Sequence, residues 1–216
     1  LFTSLKHCKR IHSIQMEIVE AIYKRRSVKH FDSTHRLSKR EEKILLEATI
    51  QAPTSFNVQH WRLVILRDPT LRQKIREEYC RQAQITDASL LVLFTADTKA
   101  WAKNPKRYWI NAPIDVTEDV VNAVGPFHES RGKIFQQEEA QRSIGMAMQT
   151  LMLAAQSLAY DSCPMIGYEL EGLKKLVKLP KDYVIGPMVA IGKGIKTPWP
   201  KPGQLSINEI VFENSL

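Results

Sequence analysis

A chain of 216 residues has the length of one ordinary domain, or two very small ones, and can bury a core without disulfide staples. Hydrophobic residues at 44% and charged residues at 25% exclude wholesale disorder, and no run approaches 18 consecutive apolar residues, which excludes a membrane-spanning helix. The formal charge is +8, and three widely spaced cysteines without a CxxC pair argue against a disulfide framework or a cysteine zinc site and fit a reducing, cytoplasmic compartment.

Residues 1–15 are read apart from the rest. They hold Lys6, Lys9 and Arg10 and no acid, and the first Met is Met16. They have some transit-peptide character but no long apolar core or small-residue cleavage site, so they read as an extension, with a targeting segment as the alternative. Residues 16–216 read as one domain. Its remaining positive charge is mixed with acids, without the basic stripe and interleaved aromatics of a nucleic-acid surface.

A helix over 17–25 places Ile18, Val19 and Ile22 on one face. Ser38 with Glu41 three residues on has capping-box spacing and opens a second helix with Ile44, Leu45 and Ala48 inward, ended by Pro53. Trp61–Leu66 is rich in bulky apolar residues and predicts a strand. Asp68-Pro69 caps a helix carrying Leu71, Ile75 and Tyr79. Residues 88–95 read as a buried strand. Residues 97–132 show little sustained period and read as an excursion of short helices, with Trp101, Tyr108, Trp109 and Phe127 available to roof a site. The longest helix is expected over 134–159, apolar nearly all round in its second half and so buried on more than one side. A short helix over 169–178, a buried strand over 184–191, a proline-rich extended arm from Thr197 and a last short strand over 207–212 complete the chain. Mixed elements without strict alternation predict an α+β fold.

Dinucleotide-fold, P-loop and zinc-protease motifs are absent, and the six histidines show no metal-ligand spacing, so no metal is expected. Three segments carry chemistry. Arg25-Arg26-Ser27-Val28-Lys29 offers forked and hydroxyl donors suited to a phosphate, or serves simply as a basic helix terminus. Ala52-Pro53-Thr54-Ser55-Phe56-Asn57-Val58-Gln59-His60-Trp61 crowds short polar groups into a turn, able to read a heterocycle edge or to bond only to itself. Pro164-Met165-Ile166-Gly167-Tyr168 lets backbone approach a flat ligand, or is a plain strand-to-helix turn.

In this order, with Gly192-Lys193 and Trp199-Pro200-Lys201-Pro202-Gly203 behind them, the three segments resemble the FMN-dependent nitroreductase family over roughly residues 16–213. The resemblance implies an α+β homodimer with a central, mostly antiparallel sheet, FMN at the subunit interface and an exchanged C-terminal arm. It assigns cofactor contacts to Arg25, Arg26, Ser27 and Lys29. From the other subunit it assigns Pro53, Thr54, Ser55, Asn57 and Gln59. Gln82 and Gln84 fall near the flavin pyrimidine, Pro164, Met165, Ile166 and Gly167 along the ring, and Gly192, Lys193 and Lys201 near the phosphate. It implies hydride transfer from NAD(P)H through flavin N5 to a nitroaromatic or quinone by ping-pong. Lys29 would stabilise the reduced ring, and backbone amides of Ile166 or Gly167 would meet N5. Two departures stand out. Ile166 occupies a place where many members carry Glu, and Gly203 one where many carry Arg. The alternatives are a same-fold flavoprotein with a specialised reaction, such as dehalogenation or flavin fragmentation, and a cofactor-free basic interaction protein.

Overall fold

The computed structural model describes residues 17–216; the extension read over 1–15 lies outside the described residues. Four strands, β1 (Trp61–Ile65), β2 (Leu90–Asp97), β3 (Asp161–Met165) and β4 (Tyr183–Gly192), form one antiparallel sheet in the order β1-β2-β4-β3. Every residue of β2 is buried. Both its faces must therefore be covered, which explains its unbroken apolar run.

The helices supply the two covers. They are α1 (Ile18–Lys24), α2 (Lys39–Thr49), α3 (Pro69–Lys74, continuing as a π-helical turn to Cys80), α4 (Gln84–Asp87), α5 (Ile114–Ser157), α6 (Leu170–Leu176) and α7 (Ile207–Ile210). Val92, Phe94 and Ala96 pack with Ile144, Ala147 and Leu151 of α5 on one side of β2. Leu91 and Leu93 pack with Ile75, Ile85 and Leu173 on the other. The two sets alternate along the strand, as the pleat requires. The Ser38–Glu41 capping box forms, with Glu41 N–H donating to Ser38 Oγ and Ser38 N–H to Glu41 Oε2. Asp68 caps α3 with Pro69 at its first position.

Three expectations change. The long helix begins at Ile114, and the polar stretch 114–131 is helical rather than an excursion of short pieces. Its inward residues are Thr117, Val124 and His128; with a threonine and a histidine on the buried face, an apolar period does not reveal it. The helix is broken once, at Gly132 (φ 73°, ψ −175°). The segment expected as a last strand is instead the short helix α7, closed by a Ser206–Glu209 capping box. A lone strand with no neighbour leaves its backbone groups unpaired, whereas the capping box satisfies them locally. Finally, the α1 stripe points outward: Ile18 and Val19 are 66% and 60% exposed, and Ala21 makes the buried contact.

Among the described residues no helix is long and apolar enough to cross a membrane. Gly132 sits in a backbone region that is essentially glycine-only, although a methyl group there would meet open space. Gly132→Ala is expected to lower stability by about 1–3 kcal/mol, read as a reduced urea midpoint. An unchanged midpoint would mean that the break in α5 is not required by the fold.

Candidate active site

The segment after α1 is stitched to the edge of β3. Val28 N–H donates to Ser162 O at 3.0 Å, and Ser27 bridges Ser162. Val28 and Phe31 turn into the core while Ser27 and Lys29 face out. Farther on, Phe31 bridges Gly194. The result is a cleft of about 380 Å³ between this segment and the start of the C-terminal arm. Arg25, Arg26, Ser27, Lys29, Lys196, Trp199 and Lys201 are among the residues that line it, and no carboxylate is. Arg25 Nη1 is sealed from water and has no hydrogen-bond partner. A buried donor of this kind is costly unless a ligand satisfies it. Lys29 Nζ stands 5.8 Å over the Trp199 ring. The charges of Lys29 and Arg25 reach Cys163 on β3, where burial, the larger effect, pushes the thiol up.

The loop after β3 lines no part of this cleft. Ile166 is 73% exposed and Gly167 adopts φ 82°. Gln82 Nε2 donates to Ile166 O at 3.3 Å, and Tyr168 Oη donates to Gly186 O, so the loop is held from both sides. Pro164 and Met165 belong to β3 itself, Met165 buried.

Several residues assigned to the cofactor from sequence have other work. Arg26 borders the cleft, but its Nη1 donates to the carbonyls of Tyr23, Lys24 and Arg25 and closes the end of α1. Gln84 is buried and turns its amide to Cys163 Sγ beneath β3. Gly192 is buried, and a Cβ there would meet Phe31 and Ser89 backbone at 3.0 and 3.2 Å, so its small size serves packing. Lys193 is exposed but does not line the cleft, whereas Lys196, unassigned from sequence, does. In an irregular arm, sequence spacing says little about which lysine turns inward.

The turn Pro53–Gln59 lines no part of the same cleft. It is tightly wound, with Phe56, Asn57 and Gln59 all at φ near 50°. Thr54 Oγ1 accepts from Gln59 N–H, Ser55 Oγ donates to Glu139, and Asn57 Nδ2 donates to Tyr108 O at 2.7 Å. Trp109 Nε1 donates to Phe56 O, and Phe56 packs on Phe127 at 4.8 Å between centroids. The aromatics expected to roof the site thus fasten this turn.

Behind the turn lies a pair that sequence reading passed over. His60 and His128 are fully buried, their rings 6.1 Å apart, with His128 stacked on Trp101 at 5.2 Å. His60 Nδ1 bonds Ser143 Oγ, His128 Nδ1 bonds Val124 O, and both Nε2 atoms lack partners. Burial, and next the His128 charge, push His60 down to about 4, against the pull of Glu139 and Asp97. Burial also pushes His128 down.

The Nitroreductase family profile matches residues 22–193. Protein DrgA of Synechocystis sp. is 62% identical over 178 residues, covering 82% of this chain and 84% of that protein. MhqN of Bacillus subtilis, named as an NAD(P)H nitroreductase, is 26% identical over 182 residues, covering 82% and 88%. The crystal structure of an Exiguobacterium sibiricum protein, described as a nitroreductase in complex with FMN, superposes with a TM-score of 0.85 at 25% identity, covering 92% of this chain and 98% of that one. The chain belongs to the nitroreductase family and is an NAD(P)H oxidoreductase of that class.

The donor set of the cleft fits FMN: a planar guanidinium with an unsatisfied nitrogen, three lysines, a hydroxyl and an indole face suit a phosphate joined to a flat ring.

The histidine pair carries a pH prediction. Unfolded imidazoles titrate near 6.5. Between there and about 4 the unfolded chain takes up protons that the folded chain refuses. Stability is fully present above that window and falls as pH drops through it, by up to about 1.4 kcal/mol per pH unit per histidine. Urea midpoints of wild type should fall between pH 7 and 5.5, and His60→Gln should flatten the slope. Equal slopes in the two proteins would remove His60 from the pH response.

Proposed function

We propose that this chain is an FMN-dependent oxidoreductase that takes hydride from NAD(P)H and reduces nitroaromatic or quinone acceptors by a ping-pong route, acting as a homodimer. The observation that carries the reading is the sealed, unpartnered Nη1 of Arg25 in a cleft of uncompensated cations. FMN, when bound, supplies the hydride-accepting and hydride-donating ring.

The side chains divide the remaining tasks. Arg25, Lys196 and Lys201 hold the phosphate, and Ser27 adds a hydroxyl. Lys29 stands where it stabilises negative charge gained by the ring on reduction. Ile166 and Gly167 present exposed backbone N–H groups that have no partner among the described residues. Ile166 offers no carboxylate, so protons come from solvent.

The dimer rests on what one chain leaves bare. Residues 202–216 are all exposed, including Leu205, Ile207, Val211 and Phe212. The outer edge of β1 has no neighbouring strand among the described residues, an arrangement that proteins ordinarily cover. A groove of about 510 Å³ between α1 and α5 is lined by Ile18, Ala21, Leu153 and Ala154. An exchanged arm and a second α1–α5 face cover these surfaces, and a second subunit brings the Pro53–Gln59 turn to the flavin.

Arg25→Ala is expected to purify folded with most of its FMN lost, since charge-assisted bonds contribute about 1.5–3 kcal/mol each. Arg26→Ala, whose Nη1 is already bonded to backbone carbonyls, should keep more of its FMN than Arg25→Ala and lose about 1 kcal/mol of stability with the α1 cap. Full flavin content in folded Arg25→Ala would overturn the phosphate assignment. Lys29→Ala, saturated with FMN, should show a limiting rate of flavin reduction lower by about 10²–10³ in stopped flow. An unchanged rate with poorer FMN retention would move Lys29 to the phosphate. Sedimentation of flavin-loaded wild type should give a dimer; a fully loaded monomer would dismiss the shared site.

A further inference from the structure

A second cationic cleft, of about 330 Å³, opens where β1 ends and α3 begins. It shares no lining residue with the cleft of Arg25 and Lys29. Three arginines, Arg36, Arg67 and Arg72, line it together with Gln73, Thr86 and Ser89, and no carboxylate does.

Arg72 is the informative residue. It is only 8% exposed, yet it forms no ion pair among the described residues. Its Nε donates to Leu66 O and its Nη1 to Ala88 O, both at 2.6 Å. Those two bonds fix the plane of the guanidinium. Its third nitrogen, Nη2, has no partner among the described residues, and the side chain borders the cleft. Burial, then the charges of Arg36 and Arg67, push Arg72 down to about 10, so it stays charged at neutral pH. Arg36 spends Nη1 on the carbonyls of Ser33 and His35 and meets no carboxylate. Arg67 is held bidentately by Glu42, so its charge is matched. Two guanidinium charges are left uncompensated, one of them nine-tenths buried. A buried charge without a counter-charge is strongly unfavourable, and a fixed guanidinium fork is the geometry that recognises phosphate or carboxylate oxygens.

We propose that this cleft is a second anion site that takes a phosphoryl group, with Arg72 as the fixed fork and Arg36 as the second cation. The volume favours a phosphoryl group carried on a small organic body. A water's share of liquid volume is about 30 Å³, so the cleft holds far more than one tetraoxyanion. The segment Ser27–Arg36 joins the two clefts, since Ser89, which lines this one, donates its Oγ to His35 O.

The test uses FMN-saturated protein, so that the flavin cleft is already filled. Inorganic phosphate and glycerol phosphate are titrated separately, by calorimetry and by thermal midpoint, against chloride at matched ionic strength. Binding is expected with both probes, and the midpoint should rise with ligand as mass action requires. Arg36→Gln, which removes a charge without touching the buried Arg72 bonds, should weaken binding at least about tenfold. Arg72→Lys, which keeps charge but loses the fork, should weaken it similarly. Tighter binding of glycerol phosphate assigns the cleft to a phosphomonoester, and equal binding assigns it to free phosphate. A response no larger than that of chloride overturns the proposal, as does equal affinity in wild type and Arg36→Gln.

Discussion

Because all eight residues of β2 are buried, both faces of the sheet must be covered, and that requirement arranges the rest of the chain. The second part of α5 closes one face, while the π-helical turn, α4 and α6 close the other. The edge of β3 is then finished by the Ser27–Phe31 segment, whose Val28 and Phe31 join the second face of the core. With those two side chains inside, Ser27 and Lys29 face outward beside the β3 loop. The outward positions of Ser27 and Lys29 therefore follow from core packing.

Charge is distributed unevenly. At some buried or half-buried positions the chain matches charge with charge, as Lys103 does for Asp97 and Arg67 for Glu42. In the cleft of Arg25 and Lys29 it does not, and the sealed Nη1 of Arg25 has no hydrogen-bond partner among the described residues. Such a donor is costly while unpaired, and an anion that satisfied it would recover the cost. On the proposed reading of this cleft, binding affinity and a local deficit in stability are two aspects of one arrangement.

The Pro53–Gln59 turn works by a different principle. Three non-glycine residues in left-handed conformation store strain, which persists only where surroundings over-determine the backbone. Here those surroundings are the Asn57–Tyr108 and Phe56–Trp109 bonds, the Phe56–Phe127 contact and the buried His60–Ser143 bond. The aromatic excursion thereby acts as a clamp on the turn, with the buried His60 and His128 behind it.

Local pattern alone determined the elements whose cause is local. The capping box at Ser38, the Asp68-Pro69 start of α3 and the helix after Tyr168 rest on contacts within a few residues; the three apolar strands show in their own apolar runs although their partners lie far along the chain, and all are legible in order. The order of the three polar segments also sufficed for the family, since each landmark is a short contiguous string. Tertiary structure decided what depends on partners distant in sequence. Arg25 and Arg26 both border the cleft, yet Arg25 keeps a sealed, unpartnered Nη1 while Arg26 spends its Nη1 on the end of α1, a difference that only the folded backbone makes. Lys196 rather than Lys193 turns inward for the same reason. The buried face of residues 114–131 was hidden because a histidine and a threonine fill it, and a polar side chain reads as buried only once its packing partners, here Trp101, His60 and Gln136, are brought alongside.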